Sequence, residues 1–368
     1  MTLISPSQVF RKKQRLGHWL PKDRSEITKW VNSKVKQTES HKVPLDPSLV
    51  AFQELVAGDP ALTKLSTKMF SEIPPTYPDD PAGYPQIKDF NKLLDVMNTI
   101  LKEGPQFFYT DNQDAMGLIG FPINAVLDRP MGTTAGFFFF LVPAVNQALN
   151  NILQTWGAFL SSSASQPTLD PKTGWLQQQA LELLSNKAND VVGNNTGLYL
   201  PFEGLYQCEP SAPYFGFNSW DGFFTRRFRP DVRPLAVPDD QIIPNLPEPN
   251  KVIVNACESC PLPSLDGLQA PWTTNVQWLD TFWLKGQPYS LSNMLNQDAA
   301  AHEFVGGSVY QAFLSALSYH RWHAPVSGTV VSCNVIPGTY YSVNRKQNQQ
   351  YSNPILTHFS QSARVSPA

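Results

Sequence analysis

The sequence predicts an α+β protein in which a helical N-terminal module precedes a β-rich domain. Two observations carry that prediction. Between about Pro47 and Leu184, apolar residues recur at three- and four-residue steps, the period of an amphipathic helix. After about Asn189, glycine and proline divide short runs of β-branched and aromatic residues, the pattern of strands between turns. The expected organisation is a polar N-terminal arm at residues 1–45, a helical domain at 46–189 and the β-rich domain at 190–368.

Taken in order, residues 1–45 are polar and charged and read as a mobile or loosely docked arm. Ile87, Phe90, Leu93, Leu94, Met97, Ile100 and Leu101 then form one apolar helix stripe, stopped by Gly104-Pro105. Pro143 suits the first turn of a second helix. That helix turns Val145, Leu149, Ile152, Leu153, Trp156 and Leu160 inward and ends at Ser161-Ser162-Ser163. A third helix is expected through Trp175–Leu184. In the second half, strands are expected at Val252–Val254, Ser308–Tyr310, Thr329–Val331 and Tyr340–Val343. Residues 235–250 hold Pro238, Pro244, Pro247 and Pro249 and form a loop.

Composition narrows the function classes. Hydrophobic residues make up 42% and charged residues 16%, which suits a folded chain. The net charge of −2 gives little electrostatic drive toward nucleic acid, and no nucleic-acid partner is expected. The longest apolar run, Phe137 to Val145, falls short of the ~20 residues that span a bilayer. No signal peptide is evident, so the cytoplasm is the expected compartment. The 33 prolines argue against a repeat array or a coiled coil. Four cysteines are too few and too scattered for a disulfide framework. Cys257 and Cys260 form a CxxC, but no second Cys or His pair lies at zinc-ribbon spacing, and no metal is expected.

The chemistry-bearing segment is Tyr319-His320-Arg321-Trp322-His323-Ala324-Pro325-Val326. Its two histidines admit three readings: packing at a strand edge, weak metal ligation, or an acid–base pair working near neutral pH. Val326-Ser327-Gly328-Thr329-Val330 is a glycine turn of the kind seen in biotinyl and lipoyl carriers. No lysine lies between Lys285 and Lys346 to carry such a cofactor. GxSxG, P-loop and GxGxxG motifs are all missing from the sequence.

Five blocks in order resemble the phosphatidylserine decarboxylase family. They are Phe217–Pro230 followed by Arg233-Pro234, Asn255–Ser259, Lys285–Leu291, the Tyr319–Gly328 run, and Ile336–Asn344. The helical half, including Asp128–Gly136, Thr155–Ser162 and Gly174-Trp175-Leu176, resembles the fungal L-tryptophan decarboxylase branch of that family.

The resemblance implies a carboxy-lyase with a pyruvoyl group made from its own backbone. That group forms a Schiff base with the amine of a small-molecule substrate, an aromatic, tryptophan-like L-amino acid, and draws in the electrons released as carbon dioxide leaves. It implies His323 as the base that activates the pyruvoyl-forming serine, Glu258 as its acidic partner where many members have Asp, and His320 as the proton donor to the decarboxylated carbon. Phe217, Trp220 and Phe223 are candidates for lining a substrate pocket, with core packing the competing use. An alternative substrate is phosphatidylserine, and the partner in complete members is the cleaved C-terminal chain. The family's Gly-Ser motif would follow the histidine motif, whereas Gly307-Ser308, the only Gly-Ser here, precedes it in an expected strand. The chain therefore reads as C-terminally incomplete, or else as a catalytically silent relative.

Overall fold

The computed structural model describes residues 24–74, 86–107, 122–190, 199–234, 253–261, 272–279, 282–284, 287–310, 312–330 and 338–341. Its described part is mostly helical. The first helices are α1 (Arg24–Ser40), α2 (Pro47–Gly58), α3 (Pro60–Ser71) and α4 (Phe90–Ile100). They are followed by α5 (Pro122–Met131), α6 (Thr134–Leu141), α7 (Pro143–Leu160) and α8 (Gln178–Asp190).

Local sequence explains their starts. Pro47, Pro60 and Pro143 open helices, where the missing N–H costs nothing. Asp46, Asp59 and Asp89 accept backbone N–H bonds from the first turns of α2, α3 and α4. The expected helix from Pro143 matches α7. The expected Ile87–Leu101 stripe is α4 with its flanks, and the third helix starts three residues later than expected, at Gln178.

The polar arm needs correction. Residues 24–40 form α1, whose Ile27, Trp30 and Val31 enter the core. Three apolar residues at helical spacing suffice to dock a helix of low average hydropathy. The buried polar residues on that face are paired: Lys34 bonds Glu103, and the Thr38 and Thr99 hydroxyls meet at 2.8 Å. Residues 1–23 lie outside the described residues.

Helices α1–α7 enclose one hydrophobic core, centred on Leu94, Met97, Phe139 and Ile152. Phe139 contacts the rings of Phe52, Phe90 and Phe140. Its helix, α6, turns sharply out of α5. Thr133 Oγ1 donates to the Pro130 carbonyl at 2.7 Å and accepts the Gly136 N–H at 2.9 Å. A Cβ at Gly136 would lie 1.9 Å from the Pro130 oxygen. Gly136→Ala is therefore expected to force the α5–α6 corner apart and cost about 2–3 kcal/mol, as overpacking does. Chemical denaturation checks this, and an unchanged midpoint would refute it. No helix among the described residues is long and apolar enough to cross a bilayer alone; the α6–α7 pair is bent by 78°.

A second core does not respect the expected boundary at 189. It joins Phe107, Leu169, Trp175, Leu176 and Leu184 to Phe202, Leu205, Tyr206, Phe217, Trp220, Phe223 and Leu317. The Trp175 indole N–H donates to the Pro105 carbonyl at 2.7 Å.

The β-rich expectation for 190–368 also needs correction within the described residues. They contain β1 (Cys260–Pro261), β2 (Trp272–Thr274), β3 (Phe282–Leu284), β4 (Gln287–Tyr289), β5 (Ser308–Tyr310) and β6 (Ala312–Phe313). These pair antiparallel as β1–β6, β2–β5 and β3–β4. The pairs are short, and residues 199–234 use helical turns and ring stacking instead. Pro201, Pro210, Pro213 and Pro230 each remove a ladder donor there. Of the expected strands, Ser308–Tyr310 is β5, so Gly307-Ser308 opens a strand opposite β2. Val254 enters only a short backbone pairing, and Tyr340 and Tyr341 form a bend. Val252, Val331, Ser342 and Val343 lie outside the described residues.

Candidate active site

Three sequence blocks converge beside the second core. The helical turn Trp220–Phe224 is capped by Ser219, whose Oγ accepts the Gly222 N–H at 3.0 Å. It presents Phe224, whose ring stacks on His320 at 4.1 Å between centroids, with Trp220 on the other flank at 4.5 Å. One turn on, Phe228 stacks on Tyr319 at 4.3 Å and on Tyr206 at 4.9 Å. Arg321 Nε donates to the Thr225 carbonyl at 2.6 Å. The Phe217–Pro230 block thus grips three successive residues of the histidine run.

The other side of that run is held by backbone. Val254 N–H donates to the Pro325 carbonyl, and His323 N–H donates to the Ala256 carbonyl, both at 2.9 Å. Residues 254–256 therefore run antiparallel to 323–325. Glu258 follows two positions further along.

Electrostatics divides the two histidines. His320 is largely buried, and its Nε2–H points at the Ala316 carbonyl at 3.2 Å. Burial, then the Arg226 guanidinium, lowers its pKa to about 4; the Ala316 and Ser315 backbone pulls the other way. It is a neutral imidazole at pH 7. The His323 side chain is exposed, as is Trp322 at 62%.

Arg226 is buried under three aromatic faces, its guanidinium 4.4 Å from the Tyr206 ring, 5.3 Å from Phe223 and 5.7 Å from Phe202. Its hydrogen bonds, to the Leu317 and Phe223 carbonyls and the Tyr206 hydroxyl, are long, at 3.4–3.5 Å. Glu258 keeps only 5% of its side-chain exposure and pairs with Arg233 at 3.6 Å. Neither of its oxygens has a hydrogen-bond partner. Burial pushes its carboxyl above the usual range, opposed by Arg233, Arg226 and Lys187.

The structure thus brings His320, Arg226, Glu258 and Arg233 to one flank of the second core. Among the described residues, Glu258 pairs with Arg233 and not with His323. Phe217, Trp220 and Phe223 lie in the core, at 8%, 7% and 1% exposure. Arg233 is the residue that sequence reasoning left without a role. Its signal was its place in the Arg233-Pro234 block, but only folding reveals the carboxylate it meets.

Arg233→Met should strand that buried carboxylate. The expected loss is about 2–3 kcal/mol, below the range for a fully buried pair because Arg233 remains 21% exposed. Adding Glu258→Gln should recover most of it in a denaturant titration; equal stability of the single variant and wild type would refute the pairing.

Comparison with known proteins matches this arrangement of two halves. One family profile, described as phosphatidylserine decarboxylase, matches residues 46–184. A second of the same description matches residues 220–366. The chain is 38% identical over 226 residues to decarboxylase iboD of Amanita muscaria, covering 61% of this chain and 57% of that protein. It is 32% identical to an L-tryptophan decarboxylase of Psilocybe cubensis, covering 82% of this chain and 61% of that protein. Against an L-tryptophan decarboxylase of Psilocybe cyanescens it is 30% identical, covering 93% of this chain and 70% of the relative. The chain thus spans 57–70% of the length of these relatives.

Proposed function

Because the chain belongs to the phosphatidylserine decarboxylase family, whose members depend on a pyruvoyl group, we propose that the protein is a carboxy-lyase that decarboxylates an aromatic L-amino acid of tryptophan type in the cytoplasm. The observation that carries this reading is the likeness to two L-tryptophan decarboxylases over 82% and 93% of the chain. It takes in the helical half as well as the half bearing the histidines. Residues 190–368 then form the catalytic domain and 46–189 the helical domain, with the second core packed across their boundary.

The pyruvoyl group supplies an electron-accepting carbonyl for the loss of carbon dioxide. The residues present fit a site that makes and uses it. A buried carboxylate whose oxygens make no hydrogen bond follows the backbone pairing that holds an open imidazole. In this reading His323 takes the proton from the pyruvoyl-forming serine, with Glu258 as the acidic residue that orients it. His320 returns a proton to the decarboxylated carbon. Held neutral at pH 7, it must first take one up. The Phe224 stack and the Ala316 carbonyl keep its ring fixed while it does so.

Intact mass of the full-length gene product tests the reading. Two chains, one carrying a pyruvoyl terminus, together with conversion of tryptophan to tryptamine, are expected. Turnover of phosphatidylserine vesicles in place of tryptophan would move the substrate assignment to phospholipid. A single uncleaved, inactive chain would mark a catalytically silent relative.

A further inference from the structure

Helix α7 belongs to the N-terminal bundle, yet it holds a residue 190 positions downstream. Asn150 Oδ1 accepts the Tyr340 hydroxyl at 2.8 Å, and Asn146 Oδ1 accepts the Tyr340 backbone N–H at 2.9 Å. The two asparagines are four residues apart and share one helix face. Asn146 is itself fixed, because its Nδ2 donates to the Phe140 and Val142 carbonyls at 2.8 and 3.0 Å. The Val142 carbonyl also accepts the Asn146 N–H at 3.1 Å, so side chain and main chain of Asn146 meet at the end of α6. The next residue, Tyr341, packs its ring 6.3 Å from Phe140, and burial raises its hydroxyl pKa. One tyrosine is thus held at its main chain and at its side-chain tip by the same helix, on a frame locked at the α6–α7 corner.

Tyr340 follows His323 by seventeen positions. The two ends of that interval are anchored to different elements: His323 to the backbone of Ala256, Tyr340 to the helical bundle. We propose that Asn146 and Asn150 are positioning residues for the candidate active site. They fix the chain at Tyr340, downstream of the histidine run, so the helical module is a working part of the decarboxylase. This inference rests on the decarboxylase reading above.

Tyr340→Phe and Asn150→Leu test it in the full-length protein, since each removes one hydrogen bond and leaves the core intact. Each is expected to slow conversion to two chains and to lower kcat about tenfold, with KM unchanged, the size of effect for one lost contact that aligns reacting groups. The double variant should be no worse than either single one, and Asn150→Asp, which keeps the acceptor, should restore the rate. The thermal melt should not move. Variants that match wild type, or losses that follow a falling melting temperature and resist rescue by aspartate, would overturn the inference. A wild type that stays one inactive chain would overturn the decarboxylase reading instead, and this inference with it.

Discussion

Replacing His323 with alanine is expected to leave the full-length protein as a single uncleaved chain, with cleavage slowed about 10²–10⁴-fold, the usual contribution of a positioned base. The side chain is exposed, and the residue is anchored through its backbone N–H to Ala256, a bond that alanine keeps. The stability cost should be within about 0.5 kcal/mol. Loss of cleavage at unchanged stability therefore reports chemistry and not folding. Intact mass after expression, with a denaturant titration alongside, makes the comparison. A variant cleaved at the wild-type rate would remove His323 from the base role.

The second large effect lies at His320 and appears in stability. Its pKa is about 4 in the fold against 6.5 for the free group. A depressed folded pKa contributes stability that is fully present above 6.5 and is lost as the pH falls through 4. A shift of that size corresponds to roughly 3 kcal/mol. Glu258 works in the opposite direction: its raised pKa favours the fold below 4.5 and loses that contribution as the pH rises through the folded value. His320→Phe separates the two, since phenylalanine preserves a ring against Phe224 and removes the titration. Between pH 6.5 and 4 the wild type should lose stability more steeply than the variant, by about that 3 kcal/mol. Parallel curves would mean the imidazole is not held neutral.

Sequence period alone located α4 and α7, because each carries a continuous apolar stripe and a clear stop. It missed α1, where Ile27, Trp30 and Val31 are diluted among charged residues whose partners, such as Glu103, lie far along the chain. The β-rich reading of the second half failed in the described residues for a related reason. Short β-branched and aromatic runs between glycines and prolines look like strands, but in residues 199–234 Phe202, Tyr206, Phe223 and Phe228 stack around Arg226 and Arg233 instead. The histidine run and the Phe217–Pro230 block were legible as motifs. That Phe224, Thr225 and Phe228 grip His320, Arg321 and Tyr319 was not, since stacking depends on tertiary approach. The Arg233–Glu258 pair and the Asn146–Tyr340 contact link residues whose separation no local pattern encodes.

The antiparallel run of 254–256 against 323–325 also restricts which insertions and deletions the gene can tolerate. Side chains on paired extended segments alternate between faces, so adding or removing one residue between His320 and His323 would turn the second imidazole to the opposite face. The Phe224 ring and the Ala316 carbonyl hold His320, and the Ala256 carbonyl holds His323, so both ends of that interval are fixed. Lengthening a surface loop costs little by comparison. Across relatives, length variation should therefore collect in the connecting loops, while the three-residue step between the histidines stays fixed.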